Sequence, residues 1–157
     1  RSGYQVGLGM LIGVKGQTID HIVEALMLIE RMKPEMVGIG PFIPHPATPF
    51  GNFPAGDIDT TLNAVAITRL LLPHALIPAT TALATLSADG HKLALGSGAN
   101  VIMPNLSPTS VRGKYEIYAG KAASGTEAIE GIKALETEIS AIGYRINYAK
   151  GDYNDTI

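Results

Sequence analysis

Four times along this chain a short apolar run stops at glycine, proline or threonine and gives way to a segment of helical period. Strands separated by helices need crossover connections, and crossovers make neighbouring strands parallel and their sheet covered. The clearest case is Val37-Gly-Ile-Gly-Pro-Phe-Ile-Pro-His-Pro-Ala-Thr-Pro49. It opens as an apolar strand, Met36 to Ile39. It then breaks into a loop in which Pro41, Pro44, Pro46 and Pro49 exclude both helix and ladder. A buried strand that ends in a rigid loop is how α/β proteins build a ligand-facing rim.

The first unit begins with Tyr4 to Val14, a continuous apolar run that reads as a strand buried on both faces. A tight turn, Lys15-Gly-Gln-Thr18, follows, with Thr18 placed to cap a helix to Met32. Ile19, Ile22, Val23, Leu26 and Ile29 form its apolar side, His21 faces solvent, and Pro34 ends it. In the second unit Asp57 caps a helix from Ile58 to Leu72, with Leu62, Val65, Ala66, Arg69 and Leu70 in register. The third strand, Leu76 to Ala79, opens into a loop at Thr80-Thr-Ala-Leu83, and a short helix runs from Ala88 to Leu95 with His91 outward. The fourth strand, Asn100 to Met103, is broken by Pro104. A loop with Tyr115 and Tyr118 leads to a last helix, Thr126 to Ile142, ended by Gly143.

Two architectures suit four such units. One is an open doubly wound sheet. The other is half of a (β/α)₈ barrel, whose full form needs about 250 residues. The domain boundaries expected are four βα units over residues 1–143 and a polar tail over 144–157. The chain has 157 residues and opens on Arg1, not Met, directly before strand-like sequence, so residue 1 reads as a cut end.

Composition narrows the function. An apolar fraction of 46% with 17% charged residues suits a covered sheet and excludes disorder. The net charge of −2 with scattered Lys and Arg argues against nucleic acid as partner. No run reaches membrane-span length and no signal pattern opens the chain, so a cytoplasmic location is the default. With no cysteine there is no disulfide framework and no thiolate metal site in these residues. The four histidines lack metal-ligand spacing. No P-loop and no G-x-S-x-G elbow occurs, so no catalytic residue and no metal ligand is assigned.

The candidates for binding lie at the strand ends, where α/β proteins place ligands. Gly9-x-Leu11-x-Gly13 lies within a strand, so it is not a dinucleotide fingerprint. It suits either a flat ring packed on the strand or a close neighbouring strand. Thr80 and Thr81 offer hydroxyls and backbone N–H groups that hold an anion, or an ordinary helix cap. Met36 and Met103 read most simply as core fillers. His45, between two prolines, is the one histidine in a candidate site.

The run from Val37 to Pro49, together with Ile77-Pro-Ala-Thr-Thr-Ala-Leu83 and Gly98-Ala-Asn-Val-Ile-Met-Pro-Asn-Leu-Ser-Pro108, resembles the radical S-adenosylmethionine family of the [FeFe]-hydrogenase maturase HydE. Biotin synthase and methylornithine synthase are related to it. The likeness runs through nearly the whole chain in order, and Lys150-Gly-Asp-Tyr153 fits the family's tail. It covers only the second half of the family's barrel, strands five to eight. It therefore implies a fragment, inactive alone. The missing half would carry the C-x₃-C-x₂-C triad of a [4Fe-4S] cluster that cleaves S-adenosylmethionine to a 5′-deoxyadenosyl radical.

The resemblance also implies roles. Gly9, Leu11, Gly13 and Met103 would contact the cofactor, although Gly16 stands where many members carry a carboxylate. Met36, Thr80, Thr81, Tyr115 and Tyr118 would contact the substrate, with the threonines on its carboxylate. The implied reaction acts on an iron-bound, cysteine-derived synthon for the hydrogenase H-cluster, alongside other maturation proteins. Biotin-synthase-like or methylornithine-synthase-like chemistry are alternatives. A non-catalytic half-barrel that binds a small anionic metabolite is a reading of a different class.

Overall fold

The computed structural model describes residues 3–104, 106, 108, 110 and 128–153. Its elements alternate as the sequence pattern requires. Strand β1 (Gly7–Ile12) leads to helix α1 (Ile19–Met32), and β2 (Met36–Pro41) to α2 (Ile58–Leu71). Strand β3 (Pro78–Ala79) is followed by α3 (Thr81–Leu86) and α4 (Gly90–Gly96), then β4 (Val101–Ile102). The last helix, α5, spans Ala128–Ser140.

The strands are parallel and neighbours in sequence are neighbours in space. β1 pairs with β2 from Gly7↔Met36 to Ile12↔Pro41, and β3 pairs with β4 through Pro78↔Val101 and Ala79↔Ile102. A single bridge, Met36↔Leu76, joins the two pairs. The Val37 N–H donates to the Leu76 carbonyl (2.8 Å) and the Leu76 N–H to the Glu35 carbonyl (2.9 Å) there. The sheet order is therefore β1-β2-β3-β4.

The helices cover one face. Ile12, Val37, Ile39, Ile77 and Leu83 are fully buried, with Ile22, Leu26 and Ile29 of α1 and Ala64 and Val65 of α2 packed over them. Each fully buried aliphatic side chain stabilises the fold by roughly 1.5–3 kcal/mol. Arg69 ties the end of α2 to the entrance of β4: its Nε donates to the Gly98 carbonyl and one Nη to that of Pro73, both at 2.8 Å.

Several expectations need correction. β1 is shorter than 4–14, and it is not buried on both faces: its side chains alternate from exposed to covered. Met36 and Met103 are not core fillers, being 37% and 53% exposed. Both belong to the face that no described helix covers. Residues after Thr80 do not stay a loop but form α3 at once, because Thr81-Ala-Leu-Ala-Thr-Leu86 contains no Gly or Pro to stop a helix. The next helix starts two residues late, at Gly90, where a side chain would overlap the Leu83 backbone. Strand β4 is confined to two residues, and α5 ends at Ser140.

α2 also turns a different side inward. Thr61, Ala64, Val65 and Thr68 are buried, while Leu70 is 81% exposed. Both threonine hydroxyls donate to carbonyls of their own helix, Asp57 and Ala64, so their burial leaves no unpaired group. Finally, two histidines have local partners. His21 accepts the Thr18 N–H at 3.0 Å in a capping box, and His91 lies 4.0 Å from Glu138.

Candidate functional site

The strand register places the candidate residues. In a parallel pair, registered residues share a face, and every second residue returns to it. The exposed positions of β1 are Gly7, Gly9 and Leu11, with Leu11 54% exposed. Their partners on β2 are Met36, Gly38 and Gly40. The Met36↔Leu76 bridge carries the same parity to Pro78 and Thr80 of the third strand. The β3–β4 register carries it on to Val101 and Met103. Gly9, Leu11, Met36, Thr80 and Met103 thus belong to the one sheet face that no described helix covers.

Glycines pave this face between β1 and β2. A methyl group on Gly9 would overlap the Gly38 carbonyl oxygen. One on Gly40 would sit 3.1 Å from Thr80 Oγ1. Gly38 is different: among the described residues nothing lies within 4 Å of where its side chain would be. The result is a flat peptide surface with open space above it, beside the exposed Leu11 side chain.

Thr80 occupies the N-cap position of α3 in extended conformation (φ −73°, ψ 146°), yet its side chain makes no cap hydrogen bond. Its Oγ1 is buried and has no partner among the described residues. A buried hydroxyl without a partner costs on the order of 1–3 kcal/mol, so it calls for one. Thr81 is the first residue of α3, and its carbonyl accepts from Thr85 Oγ1 at 2.9 Å. Tyr115 and Tyr118 lie outside the described residues.

Gly13 sits just past β1 with φ +87°, and a side chain there would overlap Gly56. Backbone geometry alone therefore requires glycine. The proline loop folds back on this point. The Phe42 N–H donates to the Ile12 carbonyl, and the Gly56 N–H to the Phe42 carbonyl, both at 2.8 Å. Phe42, Phe50 and Phe53 pack ring to ring, and Lys15 Nζ lies 4.6 Å from the Phe53 ring centre. Within the loop, His45 Nδ1 accepts the Ala47 N–H at 3.1 Å. Among the described residues no three His, Asp or Glu side chains gather as a metal site. No described helix is long and apolar enough to cross a membrane.

Two contributors escape the sequence reading. Gly38 shows no signal of its own, because its role depends on register. Gln17 lies in a turn, and only the fold reveals that its carboxamide reaches back to β1.

No family model matches the chain. Among individual proteins, the [FeFe] hydrogenase maturase subunit HydE of Thermotoga maritima is 50% identical over 119 residues, 76% of this chain and 34% of that protein. The 3-methylornithine synthase of Methanosarcina acetivorans is 33% identical over 141 residues, 90% of this chain and 39% of that protein. A biotin synthase of Parafrankia is 32% identical over 76 residues, 48% of this chain and 21% of that protein. The chain spans about a third of the length of the first of these curated relatives. Its family is one of (β/α)₈ barrels, and the α/β alternation described above agrees with that. Half of all aligned positions identical, in company with two further enzymes of one family, make this chain a HydE-like radical S-adenosylmethionine sequence.

Proposed function

We propose that these residues form half of a radical S-adenosylmethionine barrel, four βα units over 1–143 with a tail over 144–157, and that the sheet face covered by no described helix is the wall of its reaction cavity. The observation that carries this reading is that Gly9, Leu11, Thr80 and Met103 share that one face toward the strand ends, with Met36 on it nearer the strand starts, and that the Thr80 hydroxyl has no partner among the described residues. The helices cover the other face, as they do outside a barrel.

The residues present fit S-adenosylmethionine. The glycine floor of Gly9 and Gly38 accepts a flat ring, and Leu11 and Met103 offer apolar contact to it. They do not fit an iron–sulfur cluster, since the chain has no cysteine. In the full-length protein the [4Fe-4S] ligands belong to residues other than these, and no step here is routed through them. Bound S-adenosylmethionine supplies hydrogen-abstracting radical chemistry. What this chain's residues contribute is orientation and the exclusion of water: an apolar wall keeps stray proton and hydrogen donors away from the reacting atoms.

Thr80 and Thr81 hold the substrate. Thr80 Oγ1, buried without a partner among the described residues, takes a carboxylate as acceptor once the cover over it moves aside; Met36 lies on the same face four residues nearer the strand starts, opposite Leu76. By similarity to HydE the substrate is a small molecule or iron complex processed in [FeFe]-hydrogenase maturation, and other maturation proteins are the partners.

The test uses the full-length protein with Thr80→Val and Thr81→Val together. Substrate affinity should fall at least tenfold. Cleavage of S-adenosylmethionine without substrate should stay within about twofold. Equal loss of both would contradict the assignment of the threonines to substrate.

A further inference from the structure

The turn between β1 and α1 does more than reverse the chain. The Gln17 N–H donates to the Val14 carbonyl at 2.9 Å, closing a β-turn over Val14–Gln17. Its third residue, Gly16, has φ +80°, a conformation that favours glycine. This turn folds Gln17 back over the strand end. There the Gln17 carboxamide binds twice: Nε2 donates to the Leu11 carbonyl at 2.8 Å, and Oε1 accepts the Gly13 N–H at 2.7 Å. A side-chain amide has taken the place a neighbouring strand's peptide would have. The residue between them, Ile12, is held from the other side, where its carbonyl accepts the Phe42 N–H. The turn's remaining residue, Lys15, is anchored on Phe53. Leu11 and Gly13 are thus held from one edge of the strand end and Ile12 from the other, which sets the direction in which the Leu11 side chain, itself 54% exposed, leaves the backbone.

We propose that Gln17 is a positioning residue for cofactor binding: it touches no ligand, but it sets the Leu11 side chain at the height and angle that meet the flat ring of S-adenosylmethionine. The inference rests on the cavity-wall reading above. It goes beyond that reading by naming a residue that acts only through another. The chemistry is specific to a carboxamide. A carboxylate in its place keeps an acceptor for the Gly13 N–H but sets a negative charge against the Leu11 carbonyl. A thioether of equal length keeps the volume and loses both hydrogen bonds.

The experiment is equilibrium binding of S-adenosylmethionine to the full-length protein carrying Gln17→Met or Gln17→Glu. Melting temperature and kcat at saturating cofactor are followed in parallel. Both variants should raise Kd about tenfold while kcat stays within twofold, a split that a merely structural residue would not produce. A double-mutant cycle with Leu11→Ala then isolates the route. In the Leu11→Ala background Gln17→Met should change Kd by less than twofold. A Kd within twofold of the parent for both single variants overturns the proposal, as does the same tenfold loss in both backgrounds. If Gln17→Glu does not fold, Gln17→Met and the cycle decide alone. A parent that binds the cofactor while the variants match it refutes the role of Gln17 only. A full-length parent that does not bind it refutes the cavity-wall reading and this inference together.

Discussion

Gly9 and Gly38 face each other across β1 and β2, and they are glycines for different reasons. A methyl on Gly9 would overlap the Gly38 carbonyl oxygen, so Gly9→Ala should cost about 1–3 kcal/mol in thermal unfolding, as overpacking does. Gly38 meets nothing within 4 Å among the described residues. Gly38→Ala should leave stability unchanged or raise it by about 0.5 kcal/mol, because alanine loses less chain entropy on folding. A large loss at Gly38 would mean that the fold, not a ligand, requires that space. Gly7, Gly9 and Gly13 stand out in the sequence because all three fall within seven residues. The meaning of Gly38 does not, since it depends on which residue of another strand lies opposite. Gln17 was hidden for a related reason: a glutamine after a turn glycine looks like any solvated turn residue until the strand end is seen beneath it. The Thr80-Thr81 pair was visible as a candidate, but only the structure separates a hydroxyl that caps from one that has no partner among the described residues.

At the scale of elements, caps were the easiest features to read. Thr18 and Asp57 stand where the helices begin, and both act as N-caps. Asp57 accepts the Thr60 N–H at 2.7 Å and the Thr60 hydroxyl at 2.6 Å, and these bonds to its charged form, the side-chain bond foremost, lower its pKa. A carboxyl with a lowered folded pKa contributes stability above its unfolded value, and loses it as pH falls through the folded value. Asp57→Asn should therefore flatten the decline of melting temperature below about pH 4, where an unperturbed Asp titrates. An unchanged slope would show that the cap is not made in solution. What the sequence hid in the helices was which side faces inward. α2 buries two threonines and exposes Leu70, because hydroxyls that bond their own helix cost little to bury and small side chains let the helix come close. Apolar periodicity cannot register that choice. The end of β3 at Ala79 was legible, but α3 was missed for a similar reason: six residues offer too little period to detect.

At the scale of the molecule, alternation of strand and helix was legible because crossover connections leave few alternatives. The two-sidedness of the sheet was not. Continuous apolar sequence in β1 suggested cover on both faces, whereas the described helices cover one. Under the proposed function the discrepancy has an explanation. A strand whose glycines and leucine face a cavity is as apolar as one packed between helices, so composition cannot tell a ligand wall from a core. The same residues that misled about burial, Met36 and Met103, are the ones the open face displays.

The central claim is that this open face receives S-adenosylmethionine. The most direct measurement is the affinity of the full-length protein for that cofactor after Leu11→Asp, with Leu70→Asp on the outer side of α2 as the control. A charge on the cavity wall must be desolvated against an apolar ring, whereas one at a position 81% exposed remains in water. The account predicts at least a tenfold rise in Kd for Leu11→Asp and a change within twofold for Leu70→Asp. Equal affinities for the two variants would contradict it.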